Sequence, residues 1–401
     1  MNLRTQTLSL SLLLALSAWI SFSISNANAV ELGIDVLQKN NFDLLRGKRV
    51  GLVTNHTGVN ATGVKTRILL KKHVNLVALY TPEHGLDGTE KAGIEVRSRR
   101  DSLTGLPAYS LYGDTRKPTP QMLAGIDVLV YDMQDIGCRS YTYISTMGKC
   151  LQACAEQGKE FVVLDRPNPL GGNRVEGQGI DPKWISFVGQ FPVPYVHGLT
   201  VGELALMANS KGWMGPKANL QVVKMRGWNR SMTWPMTGLH WVPPSPNIPN
   251  EMSPSYYVIT GVVGELAGGL DQGLFSPKAF QVLGAPWVKP QMVSSLRAKC
   301  EDIKVEPTMT ASGPGVIYYA NPSGGGDLGA AALYTLAECN KESHGMIFTK
   351  ASKSKIDLFQ KVYGSDTIRR ELATKRPEQI VASWQPFLSR FRSERQPYLL
   401  Y

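Results

Sequence analysis

At 401 residues, with 43% apolar side chains, the chain is long enough for two or three domains with substantial cores. Charged residues make up only 19% and form no like-charge blocks, which excludes a mainly disordered chain, a coiled coil and a collagen-like fibre. The net charge of +11 comes from 43 Lys and Arg against 32 Asp and Glu; it suits an anionic polymer or surface, but no helix-turn-helix, zinc-finger or RNA-binding signature points to nucleic acid.

Residues 1–29 read as a cleavable export signal. Arg4 supplies the positive end, Leu8 to Ile24 an apolar stretch interrupted by serines, and Ala27-Asn28-Ala29 a small-x-small cleavage site. No Cys follows that site to carry a lipid, and no later stretch approaches the ~18 apolar residues of a membrane span. The expectation is an exported chain, periplasmic or secreted, that starts at Val30 and has no integral membrane segment.

Strand-like apolar runs follow at Arg49–Thr54, Leu76–Thr81, Ala108–Tyr112, Asp127–Asp132 and Phe161–Asp165, with helical patterns at Val64–Lys72, Pro120–Leu123 and Thr146–Gln157. Uninterrupted apolar strands alternating with helices predict a parallel sheet covered on both faces, a Rossmann-like doubly wound α/β domain over residues 30–233. A helix at Thr200–Lys211 opens with a capping box, Thr200 and Glu203, and a strand follows at Leu220–Met225. Residues 234–255 are too rich in Pro to continue a helix or a central strand, and their two tryptophans predict a buried, ordered crossover. Beyond it, helices at Pro290–Cys300, Gly329–Asn340, Lys353–Tyr363, Asp366–Lys375 and Pro377–Ser393, with a strand near Gly315–Tyr319, predict a smaller α+β C-terminal domain over 256–401. Cys150 and Cys154 share one helix face and are expected in the core. A Cys300–Cys339 bridge is possible, and the odd count of five leaves at least one thiol unpaired within the chain.

In open parallel sheets, ligands bind beyond the carboxyl ends of the strands. Just past the predicted strands stand Asn55-His56, then Glu83-His84-Gly85, then Asp132, Gln134, Asp135 and Arg139, then Asp165-Arg166 and Asn168. Asp and Asn also cap helices and start turns, so each alone is ambiguous; together they mark a site. Glu83, stiffened by Pro82 and followed by Gly85, is the sharpest candidate for a general acid or base. Glu176 and His197 are further loop candidates, and Tyr141, Tyr143, Trp184, Trp234, Trp241, Tyr256 and Tyr257 could pack on sugar rings. There is no P-loop, no GxGxxG after the first strand, no GxSxG and no HExxH, so no cofactor and no metal site are expected. An esterase or amidase lacks its nucleophile motif.

The series GKRVGLVTNHTGV (47–59), NLVALYTPEHGLDG (75–88), TGLPAYSLYGDTRKPTPQML (104–123), DVLVYDMQDIGCRSYTYISTM (127–147), FVVLDRPNPLGG (161–172), HGLTVGELA (197–205), WVPPSPNIP (241–249) and LGAPW (283–287) resembles the exo-acting β-N-acetylmuramidases of bacterial cell-wall turnover. The resemblance implies a Rossmann-like domain with a smaller C-terminal domain and a cleft between them. It also implies release of terminal N-acetylmuramic acid from the non-reducing end of peptidoglycan fragments, with Glu83 at the position of the family's catalytic glutamate. Asp132, Asp165 or Glu176 would supply the second carboxylate. Asn55, His84, Arg139, Tyr141, Tyr143, Arg166, Asn168 and His197 would hold the sugar, Arg139 gripping its lactyl carboxylate. One block departs: the family's FEGTN and Gly-Arg-Gly-Thr loop reads GVVGELAGGLDQGLFSPKAFQ (261–281) here, keeping a carboxylate at Glu265 but no Arg. The alternative reading is a glycan-binding protein that kept the cleft and lost turnover. Oligomeric state is not legible.

Overall fold

A computed structural model describes residues 30–401 apart from Ala92 and residues 267–269; the predicted export signal lies outside the described residues. Seven strands, β1 (Arg49–Thr54), β2 (Asn75–Thr81), β3 (Arg99–Arg100), β4 (Pro107–Ser110), β5 (Val128–Asp132), β6 (Glu160–Leu164) and β7 (Asn219–Val223), form one sheet in the order β3-β4-β2-β1-β5-β6-β7. Every pairing is parallel except that of the short edge strand β3 with β4. Successive residues of β5 alternate between two apolar clusters, Val128 and Val130 on one face, Leu129 and Tyr131 on the other. That alternation is the doubly covered sheet predicted from the apolar runs. The chain begins at the central β1, winds outward through β2 to β4, then returns to β1's other side as β5, so the winding reverses between β1 and β5.

The C-terminal part is α+β. Strands β8 (Val282–Gly284), β9 (Lys304–Thr310) and β10 (Gly313–Tyr319) form an antiparallel sheet in the order β8-β10-β9, packed with helices 253–264, 290–299, 328–342 and 353–363. β9 escapes a pattern reading because Pro307 sits in it; as an edge strand it can spare that N–H. Helix 253–264 escapes because Tyr256, Val258, Ile259, Thr260, Val262 and Val263 are all buried, leaving no polar stripe to set a helical period. The predicted helix 377–393 is two helices, 377–383 and 385–395, broken at Trp384 just before Pro386.

Residues 234–255 are ordered by burial and by backbone acceptors. Trp234 and Trp241 meet edge to face at 4.9 Å, and the Trp241 indole N–H donates to the Ile248 carbonyl at 3.1 Å. The Tyr143 hydroxyl donates to the Pro244 carbonyl at 2.5 Å and the His56 ring to that of Pro243 at 2.6 Å, fastening the crossover to the sheet edge. One apolar cluster continues from Val53 to Phe391, so the two parts share a core. All five cysteines are buried and free, and the possible Cys300–Cys339 bridge is not made.

Candidate active site

Because the strands β4, β2, β1, β5, β6 and β7 are parallel and adjacent, their carboxyl ends load one edge, as the sequence predicts. Glu83 follows β2 in a tight turn in which His84 and Gly85 both take positive φ (67° and 75°) and the Gly85 N–H returns to the Pro82 carbonyl. A glycine is at ease in that geometry, and the histidine is held there by its Nδ1–H, which donates to the Glu90 carbonyl at 2.7 Å. Two donors fix the Glu83 carboxylate: the Gly93 N–H at 2.8 Å on Oε1 and the Thr142 hydroxyl at 2.6 Å on Oε2. Neither donor was singled out in the sequence; Thr142 stands in the first turn of helix 142–156, which starts four residues earlier than its pattern suggested.

Around this turn stand aromatic hydroxyls. The Tyr112 phenol is pushed up to about 12, first by burial and then by the neighbouring Glu83 charge, with Arg116 opposing. Tyr141 meets Tyr143 edge to face at 4.8 Å and Tyr257 at 6.1 Å. At the β1/β5 reversal, four buried polar atoms have no hydrogen-bond partner among the described residues: Asn55 Nδ2, Gln134 Oε1, Asp135 Oδ1 and the Tyr141 hydroxyl. Buried polar atoms are normally satisfied, so a cluster of orphans at a sheet edge marks groups free to meet a polar ligand. Burial pushes the Asp135 carboxyl up to about 7, against the pull of the Gly137 and Ile136 N–H groups.

The other predicted site residues are committed to the fold. Arg166 grips Asp132 with two bonds, Nε to Oδ1 at 2.6 Å and Nη2 to Oδ2 at 3.0 Å, and Thr66 donates to the same carboxylate. Asp165 accepts from the Arg166 and Gly202 N–H groups and the Thr200 and Tyr401 hydroxyls, seating the start of helix 201–211 and the last residue of the chain on the sheet. Burial raises its carboxyl to about 6. Glu176 accepts from Arg174 and from the Leu328 and Gly329 N–H groups at the start of helix 328–342, and burial raises it to about 7. Asn168 bridges the Leu199 carbonyl and the Leu170 N–H. His197 accepts the Leu199 N–H; burial, with Arg395 and Arg139 nearby, depresses it to about 3, so it stays neutral.

Arg139 corrects the expectation most sharply. Its guanidinium is fully buried and donates to four backbone carbonyls, those of Gln178, Val193, Val362 and Tyr363, at 2.8–3.2 Å. Both terminal nitrogens are taken, which leaves only a buried Nε–H and no two-pronged edge for a ligand's carboxylate, and among the described residues it does not brace Asp132 or Asp135 as an ion pair. Trp234, Trp241 and Tyr256 are likewise buried in the core rather than presented to a sugar.

Residues 50–252 match the N-terminal region, and residues 326–401 the C-terminal region, of the exo-beta-N-acetylmuramidase NamZ family. The peptidoglycan beta-N-acetylmuramidase NamZ of Bacillus subtilis (strain 168) is 37% identical over 390 residues, covering 93% of this chain and 91% of the relative. The chain belongs to this family. As an exo-β-N-acetylmuramidase family member it is a glycoside hydrolase. Two crystal structures of DUF1343 family proteins from Bacteroides fragilis share its fold, one at 43% identity with a TM-score of 0.86, the other at 28% with 0.70, each covering 93% of this chain and 99% of its own.

Within that family framework the altered 261–281 block keeps a carboxylate in play. Glu265, at the end of helix 253–264, is raised by burial and by the Glu83 charge and lowered by Lys355. The two glutamates come from different parts of the fold, near enough for the charge of one to act on the other. Among the described residues, no group of three or more His, Cys, Asp or Glu side chains could hold a metal ion, and no helix is long and apolar enough to cross a membrane.

Proposed function

We propose that the protein is exported and releases terminal N-acetylmuramic acid from the non-reducing end of peptidoglycan fragments, with Glu83 as the general acid. The observation that carries this reading is the placement of Glu83, fixed by Gly93 and Thr142 at the sheet edge. A carboxyl held by two donors keeps its orientation while it protonates the leaving oxygen, and a second carboxylate across the cleft can stabilise the positive charge that grows on the ring. The partnerless Asn55, Gln134, Asp135 and Tyr141 atoms would take the sugar's hydroxyl and acetamido groups. Asp132, Asp165 and Glu176 play no part in bond cleavage on this reading, because each has its oxygens occupied by its own chain.

Purified protein should liberate N-acetylmuramic acid from a chromogenic β-muramide and from muramic-acid-terminated glycans. Glu83→Gln should keep the fold and lower turnover by ~100-fold or more. Wild-type rates in that variant would remove Glu83 from the mechanism, and binding without turnover in the wild type would favour a glycan-binding protein. Support for export comes from the sequence alone: Arg4, the apolar stretch Leu8 to Ile24 and the Ala27-Asn28-Ala29 site. Amino-terminal sequencing of protein from the producing cell should read Val30 first; a retained Met1 would refute cleavage.

A further inference from the structure

We propose that Arg116 reads the lactyl carboxylate of the terminal muramic acid and so sets the preference for that sugar. The inference rests on the glycosidase reading and adds a specificity-determining residue to it. Muramic acid differs from N-acetylglucosamine by a lactyl ether on O3, which brings one negative charge close to the scissile bond. A cation that recognises it must therefore stand near Glu83. Arg139 and Arg166 do not serve: backbone carbonyls hold both terminal nitrogens of the fully buried Arg139, and Asp132 with the Val59 carbonyl holds the buried Arg166. The loop that departs at 261–281 offers no Arg.

Arg116 follows β4 on the loaded edge, beside the strand that delivers Glu83. Its guanidinium carbon lies 4.5 Å from the ring centre of Tyr112 and 4.4 Å from that of Phe187, in the corner where the two rings meet 6.0 Å apart. Ring faces attract a cation and restrict its position without neutralising it, so the outer N–H groups keep their full demand for an anion. Among the described residues no carboxylate pairs with Arg116, and the side chain is exposed. Leu111, next to Tyr112, donates its N–H to the carbonyl of Thr81, two residues before Glu83, so the tyrosine that carries the guanidinium stands on the strand end beside the acid, whose charge helps to raise its phenol. A planar fork meets a carboxylate edge-on through two N–H groups, a geometry that a lysine ammonium cannot copy.

The test compares two chromogenic substrates with the same leaving group, the β-muramide with its free lactyl carboxylate and the corresponding lactyl methylamide. In wild-type protein the acid should be the better substrate. Arg116→Gln should lower the acid-to-amide ratio of kcat/KM by about 10- to 100-fold, chiefly through KM, and Arg116→Lys should recover only part of it. The pH profile should keep its shape. An unchanged ratio in Arg116→Gln would overturn the proposal. So would equal losses on both substrates with a displaced pH profile, which would make Arg116 a group acting through Tyr112 on Glu83. Calorimetric titration with free N-acetylmuramic acid and its amide measures the same discrimination without turnover. Wild-type protein that binds the acid through Arg116 but cleaves neither substrate would sink the glycosidase reading alone.

Discussion

Asp135 is buried: its Oδ2 accepts the Gly137 N–H at 2.7 Å, and its Oδ1 has no partner among the described residues. Its folded value of about 7 lies above the ~3.9 of an unfolded aspartate, so the fold binds this proton more tightly than the open chain does. That stabilisation is complete below about pH 4 and is lost as the pH rises through 7, where an ionised group must sit in apolar surroundings. Asn cannot ionise and can still accept the Gly137 N–H. Asp135→Asn should therefore raise the thermal midpoint relative to wild type by about 2 °C or more at pH 8, and by less at pH 5. An equal difference at both pH values would mean that the carboxylate is solvated in the cleft. At this same scale the sequence was only partly legible. The tight turn that carries Glu83 could be read because its signals, Pro82 before and Gly85 after, are local. Arg139 was misread because the carbonyls that claim it lie as far away as Val362 and Tyr363, and Arg116 was passed over because Phe187 reaches it from a distant loop.

Secondary structure follows the same division between near and far causes. β1 spans Arg49–Thr54 and the short helix spans Pro120–Leu123, as read, because an apolar run and a Pro in the first turn are local signals. The capping box at helix 201–211 forms as read: Thr200 Oγ1 accepts the Glu203 N–H and Glu203 returns to the Thr200 N–H. What the sequence could not show is that Asp165, thirty-five residues upstream of Thr200, joins this cap. Glu176 does the same for helix 328–342 from 152 residues away. Both carboxylates look like active-site groups from the chain because each stands in a loop of the first domain. Each instead satisfies N–H groups that a helix start leaves without intrahelical partners, and the positive end of the helix favours their charge. A helix N-terminus that arrives from elsewhere in the fold has no footprint beside the residue it claims.

Across the whole molecule, Arg139 is the cross-tie. Its Nη1 donates to Gln178 and Val193, and its Nη2 to Val362 and Tyr363 in the C-terminal part, with the Tyr195 ring 5.6 Å beneath it. Removing one partner of a buried charged network leaves carbonyls unsatisfied, at about 1–3 kcal/mol each. Arg139→Lys, with three donors on a single nitrogen, should lower unfolding stability by about 2–4 kcal/mol, read as a lower urea midpoint. The acid-to-amide substrate preference should survive in the folded fraction. A stable variant with altered preference would restore Arg139 to the site. The tie also helps to explain why one apolar cluster runs through both parts.

The buried thiols bear on where this chain can be made. Burial pushes the Cys138 thiol up to about 11 and that of Cys300 to about 12, and Cys150, Cys154 and Cys339 are raised further still. At neutral pH almost none of these sulfurs is a thiolate, the form that attacks a disulfide or an alkylating reagent. The folded chain thus neither needs an oxidising compartment nor is endangered by one. Production of residues 30–401 in a reducing cytoplasm, without any oxidative folding step, should yield the same folded protein, with five free thiols.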